Sequence, residues 1–119
     1  MSAKKLVSDF YNSEALTNSE VMAAFLHPEV VVEWNSTKGF LKLNHEEILA
    51  MSRELSRAYT QSVVRVSHLV QEKNQVAVRY SLYVKTIENP REEMLVAHFM
   101  AIWEVRDDKL YRGFQMSQL

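Results

Sequence analysis

The sequence predicts an α+β domain, with three helices in its N-terminal half and a mostly antiparallel sheet in the remainder. Apolar residues recur with the period of a helix over the first dozen positions, at 17–25 and at 45–59. From residue 61 onward they alternate with the period of a strand, and short polar turns interrupt them. Helices on one side of an antiparallel sheet form the α+β class.

Each of the three helices has its own signal. The first is predicted from one apolar stripe, formed by Leu6, Val7, Phe10 and Tyr11. The second begins at Thr17, which stands three residues before Glu20 in the spacing of a capping box, and it stops before Pro28. The third begins at Asn44, with Glu47 in the same relation.

The strand predicted over residues 94–105 is apolar on both faces. Strict alternation places Leu95, Phe99, Trp103 and Val105 on the side of the helices. It places Val96, Met100 and Ile102 on the outer side. An exposed apolar stripe of this kind requires a partner. We therefore expect a homodimer through the outer sheet face, with Tyr83 of the preceding strand joining Val96, Met100 and Ile102.

Composition limits the function classes. The chain of 119 residues is expected to form one domain, residues 1–119. Its net charge of −1 comes from scattered charges, which disfavours nucleic-acid binding because phosphate contacts require clustered Lys and Arg. It has no cysteine, and no stretch reaches the roughly 18 apolar residues of a membrane span. A cytoplasmic protein without a membrane partner is the resulting expectation.

Two motifs of low specificity and one helix of this sequence resemble those of a known protein family. The segment Leu26–Glu29 reads LHPE before the first strand, the third helix contains EEILAMSREL, and the final hairpin contains WEVRDDKL from Trp103. Together with the order of elements, they resemble the nuclear transport factor 2-like superfamily, in its SnoaL-like branch of polyketide cyclase and ketosteroid isomerase relatives. The resemblance implies a cone, in which a curved sheet wraps around the helices and leaves a cavity for a small apolar molecule.

The last strand departs from the cyclases of this family at the position that matters for catalysis. The cyclases carry an acidic residue there, and the matching segment here is GFQM, with Gln115 in the place of the acid. An amide cannot exchange a proton at neutral pH. The resemblance therefore implies that Gln115 contacts a ligand, and it offers no catalytic acid at this position.

Two other residues could supply proton transfer. Glu33 is the one carboxylate inside the first strand, and burial could raise its pKa to a useful value. His98 has an unperturbed pKa near 6.5 but falls on the outer face by strict alternation, so a β-bulge would be needed to turn it inward. For both, a structural or surface role is the competing interpretation.

Aromatic residues at strand and helix spacing could line the cavity as well as fill the core. The predicted ligand-binding residues are Trp34, Tyr59, Tyr80, Phe99, Trp103 and Gln115. No pair of histidines has metal-ligand spacing and no glycine-rich loop is present, so neither a metal nor a cofactor is predicted.

Three functions remain open at this point. The first is a small-molecule-binding cone domain with an apolar cavity and without strong catalysis. The second is a SnoaL-like isomerase, lyase or cyclase acting on a small carbonyl compound, which needs a titratable group in the cavity. The third is a purely structural dimerisation domain whose cavity is filled by Trp34, Tyr59 and Trp103. The size and the lining of the cavity distinguish them.

Overall fold

The computed structural model describes residues 2–119, which form three α-helices, a short 3-10 helix and one six-stranded sheet. The helices are α1 (Ala3–Tyr11), α2 (Ser19–Phe25) and α3 (His45–Ala58), and the 3-10 helix is Ala15–Thr17. The strands are β1 (Leu26–Ser36), β2 (Gly39–Asn44), β3 (Gln61–Glu72), β4 (Gln75–Lys85), β5 (Met94–Arg106) and β6 (Lys109–Gln118). The predicted α+β class is confirmed. No helix among the described residues has the length and apolarity of a membrane span.

The sheet is mixed and open, with the strand order β2-β1-β6-β5-β4-β3. All neighbouring strands are antiparallel except β1 and β6, which run parallel. This pairing places the first long strand beside the last one. The sheet curves around the helices as a cone, and its inner face packs on α1, α2 and α3.

Helix caps confirm one prediction and correct another. Asn44 caps α3 in a capping box, in which its side chain accepts from the Glu47 amide and the Glu47 carboxylate accepts from the Asn44 amide. Thr17 does not cap α2, because it is the last residue of the 3-10 helix. Asn18 caps instead: its backbone is extended, and its side chain accepts from the amides of Glu20 and Val21.

The inner face of the sheet carries the core. Val76, Val78, Tyr80 and Leu82 alternate inward along β4, and Ala97, Phe99, Ala101 and Trp103 do the same along β5. The apolar stripe predicted for α1 is buried against them. At the final hairpin, Asp107 and Asp108 have φ values of 54° and 56°, so both adopt the left-handed turn conformation, which aspartate tolerates better than most residues.

A β-bulge near the start of β5 changes which residues face the helices. Tyr83 pairs with Leu95 and Leu82 pairs with Ala97, so Val96 is the extra residue between them. Val96 therefore turns inward and packs on the core, whereas Leu95 is exposed on the outer face. The prediction that Val96 lies on the outer face and that Leu95 lies inside is wrong for this reason.

Candidate functional site

The candidate site is a cavity of about 360 Å³ between the inner face of the sheet and the three helices. Its walls are mainly apolar, and they include Phe10 of α1, Met22 of α2 and Leu55 of α3. Its mouth lies at the turn between β1 and β2, where Ser36, Thr37 and Lys38 line it beside the C-terminal Leu119. The volume falls in the range of small-molecule pockets.

Five of the six predicted ligand-binding residues line this cavity. They are Trp34, Tyr80, Phe99, Trp103 and Gln115. Tyr59 does not line it. It is the C-cap residue that follows α3, where the backbone turns to an extended conformation, and its half-buried ring packs against the core.

Tyr11 and Trp103 form the polar part of the cavity floor. The Trp103 indole Nε1 donates to the Tyr11 hydroxyl at 2.8 Å, and both side chains are buried. Burial raises the pKa of Tyr11 to about 12, although hydrogen bonds with Trp103 and Tyr80 partly oppose this. The Tyr11 hydroxyl therefore stays protonated at neutral pH.

Tyr80 and Gln115 form a second polar pair in the cavity lining. The Tyr80 hydroxyl donates to the Gln115 Oε1 at 2.9 Å. Burial raises the pKa of Tyr80 well above its usual value, and the neighbouring Tyr11 raises it further. A hydroxyl with so high a pKa can donate a hydrogen bond at neutral pH, but it cannot act as a base.

Aromatic rings form the walls around this pair. The Tyr80 and Phe99 rings are stacked, with their centroids 4.8 Å apart and an angle of 4° between their planes. Trp34 stands on the next wall, 6.2 Å from Phe99 between ring centroids. Its indole Nε1 donates to the Ser117 Oγ at 2.9 Å, which fixes the orientation of the indole. A flat apolar molecule in the cavity would therefore contact aromatic side chains from β1, β4 and β5.

Neither of the two predicted proton-transfer residues reaches the cavity. Glu33 lies on the outer face of β1, where its register partners are Lys42 and Phe114. His98 lies on the outer face of β5, and its Nδ1 is 2.7 Å from the Ser81 Oγ. The bulge in β5 falls at Val96, before His98, so it does not turn His98 inward. The structure thus places both residues outside the cavity lining.

Lys38 is the one charged side chain among the cavity-lining residues of the described chain, and it stands at the mouth. The remaining polar lining consists of hydroxyls and the Gln115 amide, together with the indole nitrogens. Within residues 2–119, no group of three His, Asp or Glu side chains is placed to hold a metal ion. The lining is therefore suited to apolar contact and neutral hydrogen bonds.

Sequence reasoning missed several residues of the cavity. Tyr11 is assigned by its apolar stripe to the core alone, because nothing in the sequence shows that its hydroxyl meets Trp103. Ser117 was missed because it lies near the end of the last strand, and Lys38 because it lies in a turn; neither segment carries a motif. Tyr11 offers the one usable signal, since a tyrosine on a buried stripe needs a partner for its hydroxyl.

The outer face of the sheet carries an apolar patch. Met100 and Ile102 lie on it, as predicted, and Tyr83 stands at its edge under the Arg65 guanidinium. Phe114 pairs with Ile102 and Met116 pairs with Met100, which extends the patch onto β6. Val70 adds to it from β3. The side chains of the outer apolar patch (Val70, Met100, Ile102, Phe114 and Met116) are each 45–65% exposed.

Comparisons with known proteins agree with this architecture. The SnoaL-like domain family matches residues 7–113. No curated protein sequence matches the chain. The structure of wild-type IdmH from Streptomyces antibioticus is similar, with a TM-score of 0.77 and 15% identity, over 98% of this chain and 92% of that one.

Two further solved structures show the same fold. An LEH-like epoxide hydrolase of M. tuberculosis has a TM-score of 0.73 and 15% identity, over 97% of this chain and 81% of that one. TerC, co-crystallised with polyporic acid, has a TM-score of 0.67 and 18% identity, over 96% of this chain and 90% of that one. At these identities the likeness establishes the nuclear transport factor 2-like cone fold. The family match covers nearly the whole chain, and the protein belongs to the SnoaL-like domain family.

Proposed function

We propose that this domain binds one small, mostly apolar molecule in the cavity between the sheet and the helices. The observation that carries the proposal is the cavity itself, which combines a volume of about 360 Å³ with aromatic walls and a few convergent polar groups. At about 30 Å³ for each water-sized group, it has room for about twelve such groups. A bicyclic or tricyclic compound is of the right size.

The composition of the lining favours binding over strong proton-transfer catalysis. An isomerase or cyclase of a carbonyl compound needs a group that accepts a proton near neutral pH. The cavity walls present tyrosines with raised pKa values and an amide instead. Lys38 is the one charged side chain of the described lining, and it lies in the turn between β1 and β2.

A purely structural role has less support. In that interpretation Trp34, Tyr59 and Trp103 fill the interior. Here Tyr59 lies outside the cavity, and the two indoles stand in its walls and leave the space between them open. The fold relatives point in the same direction, because one is an epoxide hydrolase and another was co-crystallised with polyporic acid.

Binding can be tested by blocking the cavity. Ala97 lines it and is buried, so Ala97→Phe should fill part of the space. Ala58, exposed at the end of α3, lies outside the cavity and gives the matched Ala58→Phe control. Trp34 and Trp103 line the cavity, so a bound aromatic molecule should change tryptophan fluorescence.

The expected result is saturable binding of flat polycyclic probes to the parent and to Ala58→Phe, with at least tenfold weaker binding to Ala97→Phe. Native mass spectrometry of freshly purified protein adds an unbiased search for a retained molecule. Equal binding to the parent and to a folded Ala97→Phe variant would place the probes elsewhere and contradict the proposal.

We also propose that the protein is a homodimer through the outer apolar patch. Contiguous exposed apolar side chains on one sheet face are unfavourable in water, and a second copy of the same patch would cover them. Glu33 lies at the β1 side of the patch and Arg79 at its β4 side. A two-fold arrangement that crosses the patches could bring these opposite charges together.

A further inference from the structure

Two methionines of the outer apolar patch lie directly opposite each other on neighbouring strands. Met100 of β5 and Met116 of β6 are register partners, and their side chains are 60% and 65% exposed. Opposed residues of an antiparallel pair have Cβ atoms about 4.5–5.5 Å apart on the same face. Because a methionine side chain is long, unbranched and flexible, the two thioether sulfurs can meet above the sheet.

His98 adds an imidazole ring to this pair. It precedes Met100 by two residues on β5, so both side chains stand on the outer face, about 7 Å apart along the strand. His98 pairs with Gln118, which makes Met116 its diagonal neighbour, a position within reach of long side chains. His98, Met100 and Met116 thus form a triangle of one ring nitrogen and two sulfurs, called here the soft-ligand triangle.

A hydrogen bond to β4 determines which nitrogen of His98 is available. The His98 Nδ1 lies 2.7 Å from the Oγ of Ser81, the register partner of His98. Within residues 2–119 the His98 Nε2 has no hydrogen-bond partner. When Nδ1 carries the proton and donates it to Ser81, the lone pair of Nε2 is free to bind a metal ion. Ser81 therefore fixes the ring in an orientation suited to coordination.

The side chains around the triangle are compatible with a bound cation. Arg79 is the register partner of Met100 on β4, but its Nη1 donates to the Ser67 Oγ, which holds the guanidinium toward the β3 edge of the sheet. The next row of the outer face pairs Ile102 with Phe114. Apolar side chains therefore border the triangle on this side.

The ligand types select the ion. Thioether sulfur is a soft ligand that favours Cu(I), whereas carboxylate and carbonyl oxygens favour Mg²⁺ and Ca²⁺. The triangle contains no carboxylate, and the chain has no cysteine, so all three ligands are neutral. A bound ion would keep its full charge beside apolar side chains, which is less costly for a monovalent ion than for a divalent one.

We propose that His98, Met100 and Met116 bind one soft monovalent metal ion, Cu(I) or its analogue Ag(I), through the His98 Nε2 and the two Sδ atoms. The site lies on the opposite side of the sheet from the cavity, so it does not depend on the proposed binding of an apolar molecule. Met100 and Met116 also belong to the outer apolar patch. A charge there disfavours packing of a second copy, so metal binding and dimerisation should oppose each other.

Titration with metal ions alone tests the site. The probes are Ag(I), as silver nitrate in chloride-free buffer, and Cu(I) in competition with bicinchoninate without oxygen. Each should bind at one ion per chain, and Zn(II) should bind at least about a hundredfold more weakly, because it prefers nitrogen, oxygen and thiolate ligands. With ¹³C-labelled methionine methyl groups, the signals of Met100 and Met116 should shift, whereas those of Met22 and Met51 in the cavity should stay.

The methionine variants remove one sulfur at a time. Met100→Leu and Met116→Leu keep an apolar side chain of similar size, and each should weaken Ag(I) binding by about tenfold or more. Met94→Leu is the matched control. Met94 is also exposed on β5, but its register partner is Val84, so no second sulfur stands opposite it, and this variant should keep the parental affinity.

A pair of histidine variants isolates the ring nitrogen. His98→Asn should weaken Ag(I) binding by about tenfold or more. His68→Asn is its control, because His68 is exposed on β3 with its Nδ1 2.9 Å from the Ser67 Oγ, but it pairs with Arg79 and not with a methionine. The affinity of this control should equal that of the parent.

Several results would overturn the inference. The first is no saturation with either ion up to about 1 mM. The second is an unchanged affinity in folded Met116→Leu or His98→Asn, and the third is a shift of the cavity methionines in place of Met100 and Met116. One ion for every two chains would show that a second copy supplies ligands, which contradicts a site built from one chain. A parent that stays dimeric by light scattering when saturated with Ag(I) would contradict the opposition to dimerisation.

Discussion

Gly113 of β6 lies directly beneath the Trp103 indole of β5. A Cβ atom built on Gly113 would stand 2.6 Å from the Trp103 Cζ3, which is closer than real Cβ atoms approach a neighbouring atom. The two residues are register partners on the inner face. The absence of a side chain at position 113 therefore allows the indole to lie flat against the sheet and to reach Tyr11.

Gly113→Ala should destabilise the fold. The added methyl group meets a buried ring that is held by its hydrogen bond to Tyr11, so either the indole or the strand must shift. Overpacking of this kind costs about 1–3 kcal/mol. Urea denaturation gives the free energy of unfolding. A variant as stable as the parent would show that the indole moves freely.

Trp103→Ala should cost roughly 3–5 kcal/mol of unfolding free energy, because the side chain is buried among core residues. Trp34→Ala is the matched comparison, since Trp34 is only partly buried and should lose less. A loss below about 1 kcal/mol at Trp103 would contradict its place in the core.

Ile102→Glu should convert the proposed homodimer to a monomer. The substitution places a charge in the middle of the outer apolar patch, where covering it by a second copy would be costly. Light scattering should give twice the 13.9 kDa chain mass for the parent and a single chain mass for the variant.

Ile87→Glu provides the control for this experiment. Ile87 is also exposed but lies in the loop between β4 and β5, away from the patch, so the variant should associate like the parent. A parent that is monomeric at micromolar concentration would refute the dimer, and so would an Ile102→Glu variant that remains dimeric.

The buried tyrosines should make the fold sensitive to alkali. The pKa of Tyr11 is raised from 10.0 to about 12, so the unfolded chain loses this proton at lower pH than the native one. Stability from this group is complete below about pH 10 and is lost as the pH rises toward 12. Tyr11→Phe should reduce the fall in unfolding free energy between about pH 10 and pH 12.

Tyrosinate absorbance checks the alkaline prediction directly. The ionisation of Tyr11 and Tyr80 should be delayed to pH values above the ordinary tyrosine pKa and should coincide with unfolding. Ionisation of these two residues at the ordinary pKa in the native protein would show that water reaches the cavity floor.

Gln115→Asp should introduce a carboxyl group whose folded-state pKa is raised by apolar walls, although the Tyr80 donor opposes the rise. With a raised folded pKa, the variant should approach the stability of the parent in acid and lose stability as the pH rises through the folded pKa. Denaturation at several pH values measures this change.

The same variant tests the need for a proton acceptor. Isomerisation of small ketones or ring-opening of cyclic β-keto esters should be slow in the parent and faster in Gln115→Asp at pH values where the new carboxyl is ionised. Parental turnover above about 1 s⁻¹ on such compounds would contradict the binding-module proposal.

Periodicity predicted most of the architecture, because each helix and strand has one clear apolar face. The third helix was the best case, since Asn44 and Glu47 form their capping box within a few residues of sequence. The start of the second helix was misplaced by one residue, since Thr17 and Asn18 are both good caps. Only the preceding 3-10 turn, which already contains Thr17, decides between them.

The site was less predictable, because its geometry depends on contacts between distant strands. The bulge at Val96 is set by how β5 pairs with β4, and alternation within β5 alone could not reveal it. The hydrogen bond between Trp103 and Tyr11 joins positions 92 residues apart. The resemblance to SnoaL-like cyclases predicted that Gln115 contacts a ligand, and Gln115 does line the cavity.

The parallel pairing of β1 with β6 has a consequence for how the chain folds. Val32 of β1 is the register partner of Gly113 of β6. The β1–β2 hairpin therefore joins the rest of the sheet only through β6, the last of the six strands to be synthesised. Closing so long a loop is entropically expensive and slows folding. On the ribosome, the β1–β2 hairpin should therefore stay unpaired with the rest of the sheet until β6 has emerged, and chains stalled before β6 should be the ones that chaperones and proteases recognise.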